Sequence, residues 1–170
     1  MIKVKGLFLS VALFTSLGCG KKLVANTANF VVDKTSPRLE LKNGTTVLFA
    51  TGSDEILPAS DPLIADIANY MKQASWTKIR VEGHSDSAGD DNSNLELSKK
   101  RAASVQKALV ANGIGEARVT SEGCGEKAPI ADNNSEEGKQ QNRRVEFVFT
   151  KKKLFGNTDA EACKAYQPKK

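Results

Sequence analysis

Asp86 and Arg101 carry opposite charges fifteen positions apart, and the pattern around each gives its side chain a direction. Over residues 78–84, Ile79, Val81 and Gly83 alternate with Arg80 and Glu82, the period of a β-strand, so Asp86 falls in the polar loop 85–92 just past the strand's C-terminal end. Ser93, Asn94, Leu95 and Glu96 then form a capping-box pattern that predicts the start of a helix. On that helix Asn94, Leu97 and Arg101 follow i, i+3, i+7 spacing and share one stripe, which turns Arg101 toward the loop. A carboxylate on the loop and a guanidinium on the helix can flank a pocket for a ligand that bears both an ammonium and a carboxylate, as amino-acid head groups do. Each charge-assisted hydrogen bond there contributes about 1.5 to 3 kcal/mol.

The elements that must position this pair are legible on either side of it. Residues 45–50 form a β-branched and aromatic run that predicts a strand ended by Gly52. Asp61 before Pro62 marks a helix start, and Ile64, Ile67, Met71 and Ala74 repeat at helical spacing. Together with residues 78–84 these predict a β-α-β unit with a right-handed crossover. In the second helix Ser98, Ala102, Val105 and Leu109 make a small or apolar stripe offset from the one that holds Arg101, and Gly113 closes it. A strand over residues 118–122, a loop marked by Gly123, Gly125 and Pro129, a short helical turn over 135–141 and a last strand over 144–150 follow. In that last strand Val145, Phe147 and Phe149 share a face. Strands alternating with helices predict an α/β fold, an α+β sandwich of order β-α-β-α-β-(α)-β with one mixed sheet packed against helices.

The chain has 170 residues and a formal net charge of +5, enough for one compact domain with short appendages. Lys3 and Lys5 precede an apolar run from Leu7 to Phe14 and a small-residue stretch that ends at Cys19, which reads as a secretory signal over residues 1–18. The apolar run is too short to span a membrane, which takes roughly 20 residues. Cys19 resembles the lipidated cysteine of bacterial lipoprotein signals, although Leu17 is one place nearer to it than is usual. Residues 19–44 then read as a lipid-anchored tether, 45–150 as the folded domain, and 151–170 as a solvated basic tail. Removing residues 1–18 takes two lysines and no acid and leaves a formal charge of +3. With no aromatic residues interleaved among the lysines, nucleic acid is not a predicted partner. After export Cys124 and Cys163 meet an oxidising compartment, where a disulfide between them is expected. Three cysteines and one histidine, none closely paired in sequence, predict no zinc site, and no metal or other cofactor is expected.

A set of spaced motifs adds to this reading. Gly83-His84-Ser85-Asp86 is followed by Asn94, Leu97-Ser98 and Arg101-Ala102, then by Gly123, Gly125-Glu126 and Pro129-Ile130, and finally by Asn142-Arg143-Arg144-Val145-Glu146. In this order they resemble the OmpA-like C-terminal domain family, to which the peptidoglycan-associated lipoproteins belong. The resemblance covers about residues 45–150. It implies an OmpA-like fold and binding of the diaminopimelate side chain of the peptidoglycan stem peptide, with Asp86 and Arg101 as the principal ligand residues. It further implies contacts from Ser85, Asn94, Leu97 and Arg144. Ser85 stands where threonine is common, Thr51 and Gly52 where many members offer an Asp or Asn, and Cys124 where an aromatic residue is frequent. The resemblance implies an outer-membrane lipoprotein that faces the periplasm and links membrane to wall, with a Tol-system protein as a further partner of such lipoproteins.

Other readings have less behind them. A lone histidine at a strand end, His84, is expected to act as a hydrogen-bonding support rather than a catalyst. Asp86, Asp90, Asp91 and Asn92 lack the ligand alternation and turn glycine of a calcium loop. No nucleophile with an assignable base is visible, which disfavours a wall hydrolase or transpeptidase, so the chain is not expected to be an enzyme. A scaffold or stator subunit that reuses the same domain would require a spanning helix or a long assembly segment.

Overall fold

The computed structural model describes residues 27, 29–32, 36–42, 44–152, 156–157 and 161–164. The signal segment, Cys19 and the tether as far as residue 26 lie outside the described residues. Short strands β1 (Phe30–Val31) and β2 (Glu40–Leu41) are followed by α1 (Asp61–Gln73), β3 (Lys78–His84), α2 (Asp91–Ala111) and β4 (Val119–Gly125). The chain continues through α3 (Glu136–Asn142), β5 (Val145–Lys152) and the two-residue β6 (Gly156–Asn157). The main sheet has the order β4-β3-β5-β6. β3 is parallel to β4 and antiparallel to β5, so the sheet is mixed, as predicted. No helix among the described residues is long and apolar enough to cross a membrane.

One face of the sheet makes the core. Ile79, Val81, Val145, Phe147 and Phe149 are buried there against Leu63, Ile64, Ile67 and Met71 of α1 and Ala102, Val105 and Leu109 of α2. The four buried residues of α2 are Ser98, Ala102, Val105 and Leu109, the stripe read from its spacing. α2 lies across β3 and β4. Glycine permits this approach: a Cβ on Gly83 would stand 2.2 Å from the Ser98 carbonyl oxygen, and one on Gly123 2.6 Å from the Lys99 backbone nitrogen.

Several expectations need correction. Residues 45–50 do not enter the sheet; Phe49 bridges Ile56 in a local hairpin, where the Leu48 N–H bonds the Ser60 hydroxyl at 2.8 Å. The free edge of β5 is taken instead by residues 37–39, through Leu39 N–H to the Phe147 carbonyl at 2.9 Å and Phe149 N–H to the Pro37 carbonyl at 2.7 Å. The parallel β-α-β unit is therefore β3-α2-β4, not the pair flanking α1. The domain also begins before residue 45. Phe30, Val32 and Leu39, assigned to the tether, are buried in the core. α2 starts three residues early, capped by the Asp90 carboxylate, which accepts from Ser93 N–H at 2.8 Å. Similarly, α1 has Ser60 rather than Asp61 at its cap position, and β4 runs on through Gly125 where a loop was expected. The segment from 151 is not a free tail: β5 extends to Lys152, and Cys163 is disulfide-bonded to Cys124, with the two Cα atoms 5.2 Å apart.

The opposite face of the sheet departs from the polar, solvated surface that alternation implies. Glu82 is fully buried, and Arg38 is 7% exposed. Arg80 Nε donates to Glu82 at 2.8 Å, Arg38 reaches Glu82 at 3.2 Å and also pairs with Glu146, and Arg144 Nε donates to Glu146 at 2.7 Å. The returning tail covers this cluster, and the Lys164 carbonyl accepts from Arg38 at 2.6 Å.

Candidate functional site

The loop after β3 folds around the Asp86 side chain, which is only 5% exposed. One carboxylate oxygen accepts from the Ala88 N–H at 3.0 Å, and the other is ion-paired to Arg143. Asn94 donates to the Asp86 carbonyl at 3.3 Å and to the Ala88 carbonyl at 2.9 Å, so it fixes the loop that aims the acid. The Ser85 hydroxyl is buried and has no hydrogen-bond partner among the described residues, while its N–H bonds the Gly125 carbonyl at the end of β4. Leu97 is half-buried beside this stripe.

Arg101 projects from α2, and its hydrogen bond goes to the 48–57 hairpin rather than to the loop after β3. The 48–57 hairpin holds it, with Nε donating to the Ser53 carbonyl at 3.0 Å and the guanidinium carbon 5.1 Å from the Phe49 ring centroid. Ser104 anchors the same hairpin to α2 through Asp54 at 3.1 Å. Among the described residues Arg101 has no ion-pair partner, and its two terminal nitrogens make no hydrogen bond. Burial lowers its pKa, and so does the neighbouring Arg143 guanidinium, against the raising influence of Asp54 and Asp86. Two like charges thus face one cleft of about 1020 Å³, whose wall includes Phe49, Gly52, Arg101, Ile130, Arg143 and Arg144.

Asp86 and Arg101 do not confront each other across an open gap. Arg143 stands at Asp86 and also bonds Glu136 at 2.8 Å and Gln140 at 2.6 Å, both from α3. Hydrogen bonds to Glu136 and Asp86 raise its pKa. Sequence reasoning missed this residue. In the Asn-Arg-Arg motif strand alternation puts Arg144 on the face of Glu146, but the orientation of Arg143 depends on where α3 ends and β5 begins. Arg144 borders the cleft while committed to Glu146 and to the Ala128 carbonyl at 3.1 Å.

His84 lies beneath this region, 2% exposed, with no hydrogen-bond partner on either ring nitrogen among the described residues. It is therefore not the hydrogen-bonding support expected of it. Desolvation, with Arg144 next, lowers its pKa to about 4 against the pull of Glu146, so the ring is neutral at ordinary pH. Burial would raise the Glu146 carboxyl, but Arg144 and Arg38 outweigh it and hold the group below the usual carboxylate range.

A mixed sheet layered with helices thus carries a buried acid just past β3, one guanidinium on α2 and another just before β5, the two guanidiniums bordering one cleft. The sequence profile described as the OmpA family matches residues 48–143, more than half of the chain, and the chain belongs to that family. It is 34% identical over 119 residues to the probable lipoprotein YiaD of Escherichia coli K12, a match over 70% of this chain and 54% of that protein, so the chain spans about half of that relative's length. It is 32% identical over 122 residues to the peptidoglycan-associated lipoprotein of Buchnera aphidicola, covering 71% of this chain and 70% of that one. The crystal structure of the peptidoglycan-associated lipoprotein from Burkholderia pseudomallei superposes with a TM-score of 0.58 at 31% identity, covering 61% of this chain and 88% of that one.

Proposed function

We propose that the domain binds peptidoglycan without performing catalysis, by gripping the charged end of the stem-peptide diaminopimelate in the Arg101–Arg143 cleft. The observation that carries this reading is Arg101, partly buried near the buried Asp86 and held by Phe49 and Ser53, with neither terminal nitrogen hydrogen-bonded among the described residues. In this scheme the ligand carboxylate takes the Arg101 fork, and its ammonium joins Asp86, displacing Arg143 toward the carboxylate. Ser85 and Asn94 border the acid, Leu97 supplies apolar contact, and Arg144 lends charge from the cleft wall. The names borne by the relatives support the peptidoglycan assignment. A lipid on Cys19 would then hold the domain in the outer membrane, facing the periplasm, as a link between membrane and wall; contact with a Tol-system protein belongs to the same proposal.

One such pocket yields affinity on the order of micromolar, and repetition of stem peptides along the wall strengthens retention through rebinding. The test is retention of the purified domain on isolated sacculi, with free diaminopimelate as competitor. Asp86→Ala and Arg101→Ala should each cut retention about tenfold or more while the protein stays folded. Retention unchanged in both variants would exclude this pocket.

A further inference from the structure

The outer face of the sheet brings Cys124 of β4 beside Glu82 and His84, two neighbours on the same face of β3. The Glu82 carboxylate, a ring nitrogen of His84 and the Cys124 sulfur lie within 4.8 Å of one another, and all three residues are buried. His84 Nε2 is 4.0 Å from both Glu82 and Glu146, and neither ring nitrogen makes a hydrogen bond. A buried imidazole with two idle nitrogens is costly unless something uses them. The disulfide adds a second sulfur, since it brings Cys163, on a half-buried turn, into bonding contact with Cys124.

We propose that reduction of the Cys124–Cys163 disulfide creates a metal site in which Glu82, His84, Cys124 and Cys163 hold one zinc ion. The donor set of two sulfurs, one imidazole and one carboxylate is of the kind that tetrahedral zinc takes, with bonds of about 2.0 to 2.3 Å. Adjacent donors on such an ion stand roughly 3.5 Å apart, so the cluster must contract by about 1 Å. Glu82 is already oriented for this. Arg80 holds one of its oxygens at 2.8 Å, while the oxygen that faces His84 receives only the longer 3.2 Å bond from Arg38. Guanidinium partners of this kind fix a ligating carboxylate from the second coordination layer.

The chemistry balances with a dithiol as reductant. The dithiol gives two electrons and two protons to the disulfide and becomes a disulfide itself, leaving two thiols on the protein. Zinc then displaces the two thiol protons, so a dication enters as two protons leave. The net charge of the cluster, with Arg38, Arg80 and Arg144 against Glu82 and Glu146, does not change. Nearby guanidiniums favour the thiolate form that zinc needs.

Cobalt(II) is a suitable probe, because tetrahedral thiolate coordination gives it visible d–d bands and a near-ultraviolet charge-transfer band. The chain is reduced with a dithiol, freed of it anaerobically, and titrated alongside the oxidised protein. The reduced protein should take up one equivalent, released by zinc, and the oxidised protein none. His84→Gln should weaken binding about 100-fold. Cys163→Ser, which frees Cys124 without any reductant, should bind with a spectrum showing one thiolate fewer. Absence of a tetrahedral spectrum in the reduced protein, unchanged affinity in His84→Gln, or loss of the fold in both the reduced and the Cys163→Ser proteins would each overturn the proposal. Sacculus retention is not involved in any of these measurements.

Discussion

Single residues here act through what burial does to their charge. His84 is neutral in the folded protein because desolvation and Arg144 lower its pKa to about 4, whereas in the unfolded chain it protonates near 6.5. A folded-state value below the unfolded one means that the unfolded chain binds the proton more readily. The associated stability is complete above pH 6.5 and is lost as pH falls toward 4, a loss of about 3 kcal/mol. Urea midpoints of the disulfide-bonded protein, measured with a chelator present, should fall across that window, and His84→Gln should flatten the slope whatever it does to the absolute stability. Arg101 shows the converse use of burial. Its guanidinium lies partly out of water, beside another cation, with its fork unspent, a state that favours an arriving carboxylate.

Elements place these residues by packing distance. Arg101 reaches the cleft wall because α2 lies close on the sheet, and α2 lies close because Gly83 and Gly123 have no side chains. Gly83→Ala would set a methyl group 2.2 Å from the Ser98 carbonyl oxygen, a backbone atom that no rotamer change can move. The expected loss is about 3 kcal/mol or more, read as a lowered urea midpoint, with sacculus binding weakened in parallel as α2 shifts. The α2 stripe was legible in the sequence because small and apolar residues repeat at helical steps from Ser98 to Leu109. The run 45–50 was not. Its β-branched residues suit any extended backbone, and nothing local says whether an extended segment pairs with a distant edge or with its own next turn. Competition for the β5 edge decided it, and residues 37–39 hold that edge.

At the scale of the whole molecule, both termini of the domain fold back onto it. Phe30, Val32 and Leu39 enter the core from the N-terminal side, and a chain beginning at Thr45 should lose about 5 kcal/mol of the burial they contribute. For a domain whose total stability is about 5 to 15 kcal/mol, that is a marked drop in thermal midpoint. An undiminished midpoint would show that the short strands β1 and β2 add nothing. On the other side the tail crosses the Arg38–Glu82–Glu146 cluster and is pinned by Cys163. By itself the sequence determined the helices, the core face of the sheet, the family resemblance and the fifteen-residue spacing of Asp86 and Arg101, because each rests on local periodicity or on motifs in chain order. The domain's true edges, the placement of Arg143 against Asp86, and the meeting of Glu82, His84 and Cys124 were decided only by the tertiary structure. These are contacts between residues tens of positions apart, and they form because β3, β4 and β5 lie side by side and bring their ends to one place.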